Sequence, residues 1–508
     1  MPNTLAYVAL FAYPLVAILL FRRLGLVRGL IWTILGGYLF LPVEPVIDLP
    51  IPGLPFINKA FIAALSALLL ARAEGKREAR RIAILQRREK ISVEGEEAPT
   101  RPRQRDGREK KSRKGRLIIN ILLLVAIIGP IVTTMTNAEP LFRGDRIQMG
   151  FQLYDSGRAV VTTLVMLMPF FLARRYLNTA EAHQAILWSL VIGGVAYALL
   201  AMYEVRMSPT LNRKIYGFFA HDWRQHLRRG GYRPILFMEH GLRVGIFLAM
   251  ATIATAIAFR VERFNNHRAK LLVTLVVMLV SLWMAKSLGA VLIAVLIVPL
   301  ALWSQARLQL FVAAVFAAVI LLYPMLRSGE VIPVSRIVTL AQSIDEDRAE
   351  SLQTRLRNED LLLDHASRKP LAGWGGQGRW LVFDEKGNKE STPDGRWVIT
   401  IGQYGWLGYL SEFGLLSVPI LLLAFRNKSL GIDRATAGLA LILAANMVDL
   451  IPNSALTPIT WLIAGSLAGW YETQLAARSV QAPAGARKTP NRKTPAAAAR
   501  RHHARAPV

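Results

Sequence analysis

Several ionisable residues stand where a mostly apolar chain has no structural need of them. Glu239 and His240 fall side by side at the lip of a long apolar run. Such groups are costly in lipid, so the pair should face a bundle interior or a wet cleft. His240 is then either an acid–base group or a structural histidine with its hydrogen bonds made. Arg233 precedes them in GGYRPILFMEHG, where the glycines allow close backbone approach and Pro234 suits a helix start. It reads as an anion ligand or as an interfacial arginine that snorkels to head groups. Arg348 and Arg355 lie seven residues apart, roughly on one face of a predicted helix, whereas Arg357 is turned about 160° from Arg355. They act together on an anion, or they make ordinary pairs along the helix with neighbours such as Asp347 and Glu359. Asp394, in STPDG, is a base or a plain turn residue. Lys286 marks the turn between two short apolar runs, and Glu412, in the outer part of another, is a candidate partner for an arginine. Guanidinium forks suit anionic oxygens, and a carboxylate or imidazole suits a moving proton.

The elements that must position these groups are membrane helices. The chain has 508 residues, 53% hydrophobic and only 19% charged, with a mean hydropathy of +0.34. Many runs of 17 or more mostly apolar residues identify an all-α polytopic membrane protein. A soluble multidomain chain would need charge between those runs. The formal net charge of +28 gathers at span ends and in two long polar segments, which the positive-inside tendency explains without a nucleic-acid partner. Cysteine is absent, which excludes disulfides and thiolate metal sites. The first apolar run lacks the basic start and cleavage site of a signal peptide.

Thirteen spans are predicted, with 12 to 14 as the bracket. Residues 1–71 hold the first three. Residues 72–116 carry 17 Arg or Lys against 8 Asp or Glu and are expected to be a disordered cytoplasmic segment facing anionic membrane lipid. Residues 117–326 form a central bundle whose loop 204–234 should lie outside. That loop is rich in arginine, against the usual charge rule, so either the topology differs or the loop binds an anion. Residues 327–400 form a large, partly helical outer loop with an amphipathic helix over 347–367 (Leu352, Leu356, Leu361, Leu362, Leu363). Pro370 ends that helix, and Gly373, Gly375, Gly376 and Gly378 make a tight turn. His365, with apolar neighbours, reads as a packed helix residue. Residues 401–475 return to the membrane, and 476–508 are a basic, disordered cytoplasmic tail.

The segment SLQTRLRNEDLLLDHASRKPLAGWGGQGR resembles the large extracytoplasmic loop of the O-antigen ligase and polysaccharide-polymerase superfamily. That loop has an Arg, an amphipathic helix and a Pro-x-x-Gly-x-x-Gly turn, matched by Pro370, Gly373 and Gly376. The following QYGWLGYLSEFGLLSVPILLLAF looks like the family's next segment. KSLGAVLIAVLI, beginning at Lys286, is similar to its Ser-Arg-Gly hairpin. The likeness runs from about residue 200 to 425.

The resemblance implies a membrane glycosyltransferase of the bacterial inner membrane, inverting and free of metal or other cofactor. Such an enzyme moves a glycan from an undecaprenyl-diphosphate carrier to a sugar hydroxyl, at the periplasmic face, as a polymerase or a ligase. Arg233, Arg348, Arg355 and Lys286 would hold the diphosphate, because a fork that stays charged suits that leaving group. Asp394 or His240 would take the acceptor's proton, with Glu239 and Glu412 supporting. Trp374, Trp380 and Trp397 would stack on sugars or rest at head-group level. Family members often carry a histidine just before the span that follows the loop. Here STPDGRWVITIGQYG has none, so either Asp394 replaces it or the chemistry differs in this branch. Polysaccharide assembly proteins are expected partners. The alternatives are a lipid-linked glycan exporter and a non-catalytic component of an assembly complex.

Overall fold

The computed structural model describes residues 1–49, 51, 53–93, 108–144, 146–228, 231–262, 265–329, 339, 342–343 and 346–481. In lipid a backbone must satisfy its own hydrogen bonds, and the apolar runs accordingly form helices. In chain order these are α1 (Thr4–Phe40), α2 (Lys59–Val93), α3 (Arg108–Met135), α4 (Leu153–Tyr176) and α5 (Ala180–Met207). A short α6 (Leu211–Tyr216) precedes α7 (Gly241–Val261), α8 (Asn265–Met284), α9 (Leu288–Trp303) and α10 (Ala306–Ser328). Then come α11 (Glu346–Ser367), α12 (Arg396–Phe425), α13 (Asn427–Leu430), α14 (Arg434–Asp449) and α15 (Pro458–Gln481). Among the described residues, eight of these helices are long and apolar enough to cross a membrane. The protein is therefore an all-α, multi-pass membrane protein.

Two of the long helices are folded back on themselves. In α1, Gly25 has a left-handed φ of 74° and reverses the chain. The Tyr13 hydroxyl then donates to the Thr33 carbonyl at 2.6 Å, and Asn3 and Phe40 both reach Tyr216. In α12, Gly405 does the same with φ 61°. Residues 396–404 form a short limb and residues 406–425 a full span.

One end of the bundle gathers the polar loops. The described residues of segments 41–58, 136–152, 204–240 and 368–395 meet there. Arg158 bonds Asp48 at 2.8 Å, Lys59 bonds the Phe237 carbonyl at 3.0 Å, and Arg143 bonds the Gly378 carbonyl at 2.8 Å. Helix α7 runs through the middle, with every residue from Val244 to Ala258 buried. Gly194 and Gly245 let the neighbouring α8 and the α8–α9 turn come close.

The structure departs from the sequence reading in three places. Helix α2 does not stop at residue 71 but continues to Val93, because the polar stretch is rich in strong helix formers and has i, i+3 pairs such as Glu74–Arg77 at 2.6 Å. Residues 108–116 are likewise the first turns of α3. Helix α7 begins at Gly241 rather than near residue 235, because His240 caps it through Nδ1 to the Leu242 amide at 3.0 Å. Residues 94–107 and the tail from 482 lie outside the described residues.

Candidate functional site

At the loop-bearing end lies a cavity of about 400 Å³. Its wall is mostly apolar, with Ile34, Phe56, Val165 and Met166 among its residues, yet three cations line it: Lys59, Arg243 and Arg396. One carboxylate, Glu239, accompanies them. The cations come from three helices. Lys59 opens α2, and its ammonium donates to the Phe237 carbonyl. Arg243 lies in the first turn of α7 and pairs with Glu239 at 2.7 Å, four residues back. Arg396 begins α12 and forms a two-pronged bond with Glu412, at 2.7 Å from Nε and 2.5 Å from Nη2. Thr400 adds a hydroxyl to the same carboxylate at 2.9 Å. A second cavity of about 220 Å³ adjoins, lined by Arg396, Thr400, Tyr404 and Glu412. Arg396 therefore stands in the wall between two chambers.

Above this wall sits the loop helix α11. Arg355 pairs with Asp394 at 3.3 Å, two residues before Arg396. Burial raises the Asp394 carboxyl above its ordinary range, and Arg355 opposes the rise. Glu359, one turn along α11, is buried, and its carboxyl is pushed up to about 7 by that burial, with Arg327 pulling it down. A carboxyl titrating there is suited to acid–base work near neutrality. Arg327 itself is paired with Asp360 at 2.6 Å.

The sequence-predicted residues divide into groups. Glu239 lines the larger cavity and Glu412 the smaller. Arg355 and Asp394 are brought together in the roof. Arg233 lies apart, its side chain packed over Gly241 and bonded through Nη2 to the Lys286 carbonyl at 3.0 Å. His240 faces His221 and His226 rather than Asp394. Arg348 falls in α11, with its side chain outside the described residues. The tryptophan rings are taken up by protein. Trp397 is fully buried against Tyr323, Trp380 is buried beside Gly402, and Trp374 stacks on His365 at 4.3 Å. His365 is thus a packed helix residue.

Lys59, Arg243, Arg396 and Glu359 are the residues that sequence reasoning missed. Arg243 had a signal in its i, i+4 spacing from Glu239. Arg396 had none, because its partner is sixteen residues away and only the reversal at Gly405 joins them. Glu204 was also missed. It is fully buried, and its carboxylate accepts the amides of Leu211, Ile235 and Leu236, each at 2.9 Å. It ties the end of α5 to the start of α6 and to the chain leading into α7.

Compared with known protein families and with curated proteins, the chain matches none.

Proposed function

We propose that this protein is a membrane glycosyltransferase that takes a glycan from a polyprenyl-diphosphate carrier at the periplasmic face of a bacterial inner membrane. The observation that carries the reading is the convergence of Lys59, Arg243 and Arg396 on one mostly apolar cavity. A diphosphate ester of a long isoprenoid has the matching chemistry: a concentrated anion on an apolar tail. Arginine forks would offset the charge that builds on the leaving diphosphate. The acceptor is a sugar hydroxyl that approaches beneath the loop helix. Its oxygen forms the new bond to the anomeric carbon, the bond to the diphosphate oxygen breaks, and the proton passes to Asp394 or Glu359. Asp394 stands two residues before Arg396, so their Cα atoms are at most ~7 Å apart.

Membranes supplied with a polyprenyl-diphosphate-linked glycan test this. Arg243→Ala and Arg396→Ala should each lower glycosidic product by about 100-fold or more at equal protein level, the usual scale for removing one electrostatic stabiliser. Product at the unaltered rate from both variants would overturn the reading.

One observation favours a second reading, a lipid-linked glycan exporter. Transporters often bind substrate at broken helices, and α12 is broken at Gly405. Donor that crosses vesicles with no new glycosidic bond would decide for the exporter.

A further inference from the structure

Two histidines of the loop 204–234 and the cap residue of α7 form a second cluster, outside the cavity. His221, His226 and His240 each offer a ring nitrogen, and these three atoms lie within 4.8 Å of one another. We propose that the three histidines bind a divalent transition-metal ion of the zinc, nickel and copper class.

The donor set decides the class. Three imidazoles with no carboxylate suit borderline metals and do not suit calcium or magnesium, which take oxygen. The spacing is close to what such an ion needs. An ion centred in a triangle of that edge would sit about 2.8 Å from each nitrogen, roughly 0.7 Å beyond an ordinary zinc–nitrogen bond. Small ring movements close that gap. The His221 ring meets both others edge to face, at 81°, and the His226 and His240 rings are tilted by 51°.

Two of the ligands, His226 and His240, come from anchored pieces of backbone. His226 closes a 3-10 turn, Trp223–His226, which Asp222 caps through the Arg224 amide at 3.0 Å. The His226 carbonyl accepts the Arg233 amide at 2.8 Å, and His240 is the cap of α7. Glu204 fixes the strand of chain between them. Phe219 lies against His226 at 5.8 Å and Trp223 at 5.1 Å, which helps keep water from this side. The Nδ1 atom of His221 is buried and makes no hydrogen bond among the described residues.

Two features oppose binding. The His240 Nδ1 accepts the Leu242 amide, so ligation by this ring exchanges the cap. A cap is worth about five- to tenfold in an equilibrium constant, small beside the many decades gained at a metal site. Arg233, packed beside Gly241, repels a bare cation. It favours an anionic oxygen as fourth ligand, in the position that a three-histidine site leaves open.

The test does not depend on the transferase reading. Full-length protein in detergent is stripped with chelator and titrated calorimetrically with zinc ion alone. Cobalt ion is added in parallel to report coordination by visible absorption. One tight site with the intense bands of four-coordinate cobalt is expected. His226→Ala and His221→Ala should each weaken it by more than the roughly 10–100-fold that losing an outer partner costs. His183→Ala, far away on Thr436, should leave it unchanged, and so should the double variant His502→Ala/His503→Ala. If the buried His226→Ala folds poorly, the half-buried His221 decides. Zinc affinity unchanged in His221→Ala, absence of tight zinc binding, or a weak six-coordinate cobalt spectrum would each overturn the proposal.

Discussion

Arg396 and Glu412 are sixteen residues apart in sequence and 2.5 Å apart in space. The pair clasps the two limbs of α12 across the turn at Gly405. Only 7% of the Glu412 side chain is exposed, and 19% of that of Arg396. Truncating one partner leaves a buried charge without compensation, which costs about 3–5 kcal/mol. Glu412→Ala should lower the melting temperature in detergent sharply. The double variant Arg396→Ala/Glu412→Ala should recover part of the loss. Strictly additive losses would show that the two side chains act independently.

The turn itself is constrained. A Cβ at Gly405 would stand 2.5 Å from the Leu371 carbonyl and the Pro370 oxygen, at a φ of 61° that side chains rarely adopt. Gly405→Ala should therefore cost at least the ~1–3 kcal/mol of a strained backbone, with packing added. Gly376→Ala meets nothing within 4 Å and serves as the benign comparison. Fluorescence-detected size exclusion of the two variants, heated in parallel, separates them.

Arg355 and Asp394 form a looser pair, with 39% and 38% of their side chains exposed. Such a pair contributes ~0–1 kcal/mol to stability. Arg355→Ala should leave the melting temperature nearly unchanged while product formation falls, because its role in the proposed reaction is at the roof of the site. A large loss of stability with normal turnover would reverse that assignment.

Glu359 gives the protein a pH signature. Burial raises its carboxyl to about 7, whereas the unfolded chain titrates it in the ordinary glutamate range. Between those values the folded state binds more proton than the unfolded, so stability falls as pH rises and levels off above about 7. Glu359→Gln keeps the neutral form. It should melt higher than wild type at pH 8, by a margin on the order of 3 kcal/mol, and alike near pH 4.5. Equal melting at both pH values would show that Glu359 is ionised at no cost. Loss of turnover in the same variant would mark it as the proton acceptor.

The sequence made the membrane architecture plain, because long apolar runs have few other uses. It also showed the loop helix. Glu346–Ser367 buries Leu362 and Ala366 at helical spacing, and the glycines at 373, 375 and 378 have the positive φ that the turn demands. The cavity was far less legible. Lys59, Arg243 and Arg396 come from distant parts of the chain, and no local pattern links them. Gly405 reads as a small residue inside an apolar stretch, although it reverses a helix. The charge on the segment after residue 71 suggested disorder, but its composition is also that of a helix exposed to water.

The amide of Asn3 is hydrogen bonded to the Tyr216 carbonyl at 2.9 Å, and its side chain to Ile215. A reporter fused ahead of it is thereby carried beside the histidine loop, while one fused after α15 emerges at the other end. Phosphatase and fluorescent-protein fusions at these two points must therefore give opposite signals, and a bulky leading tag would crowd the very surface a metal titration interrogates.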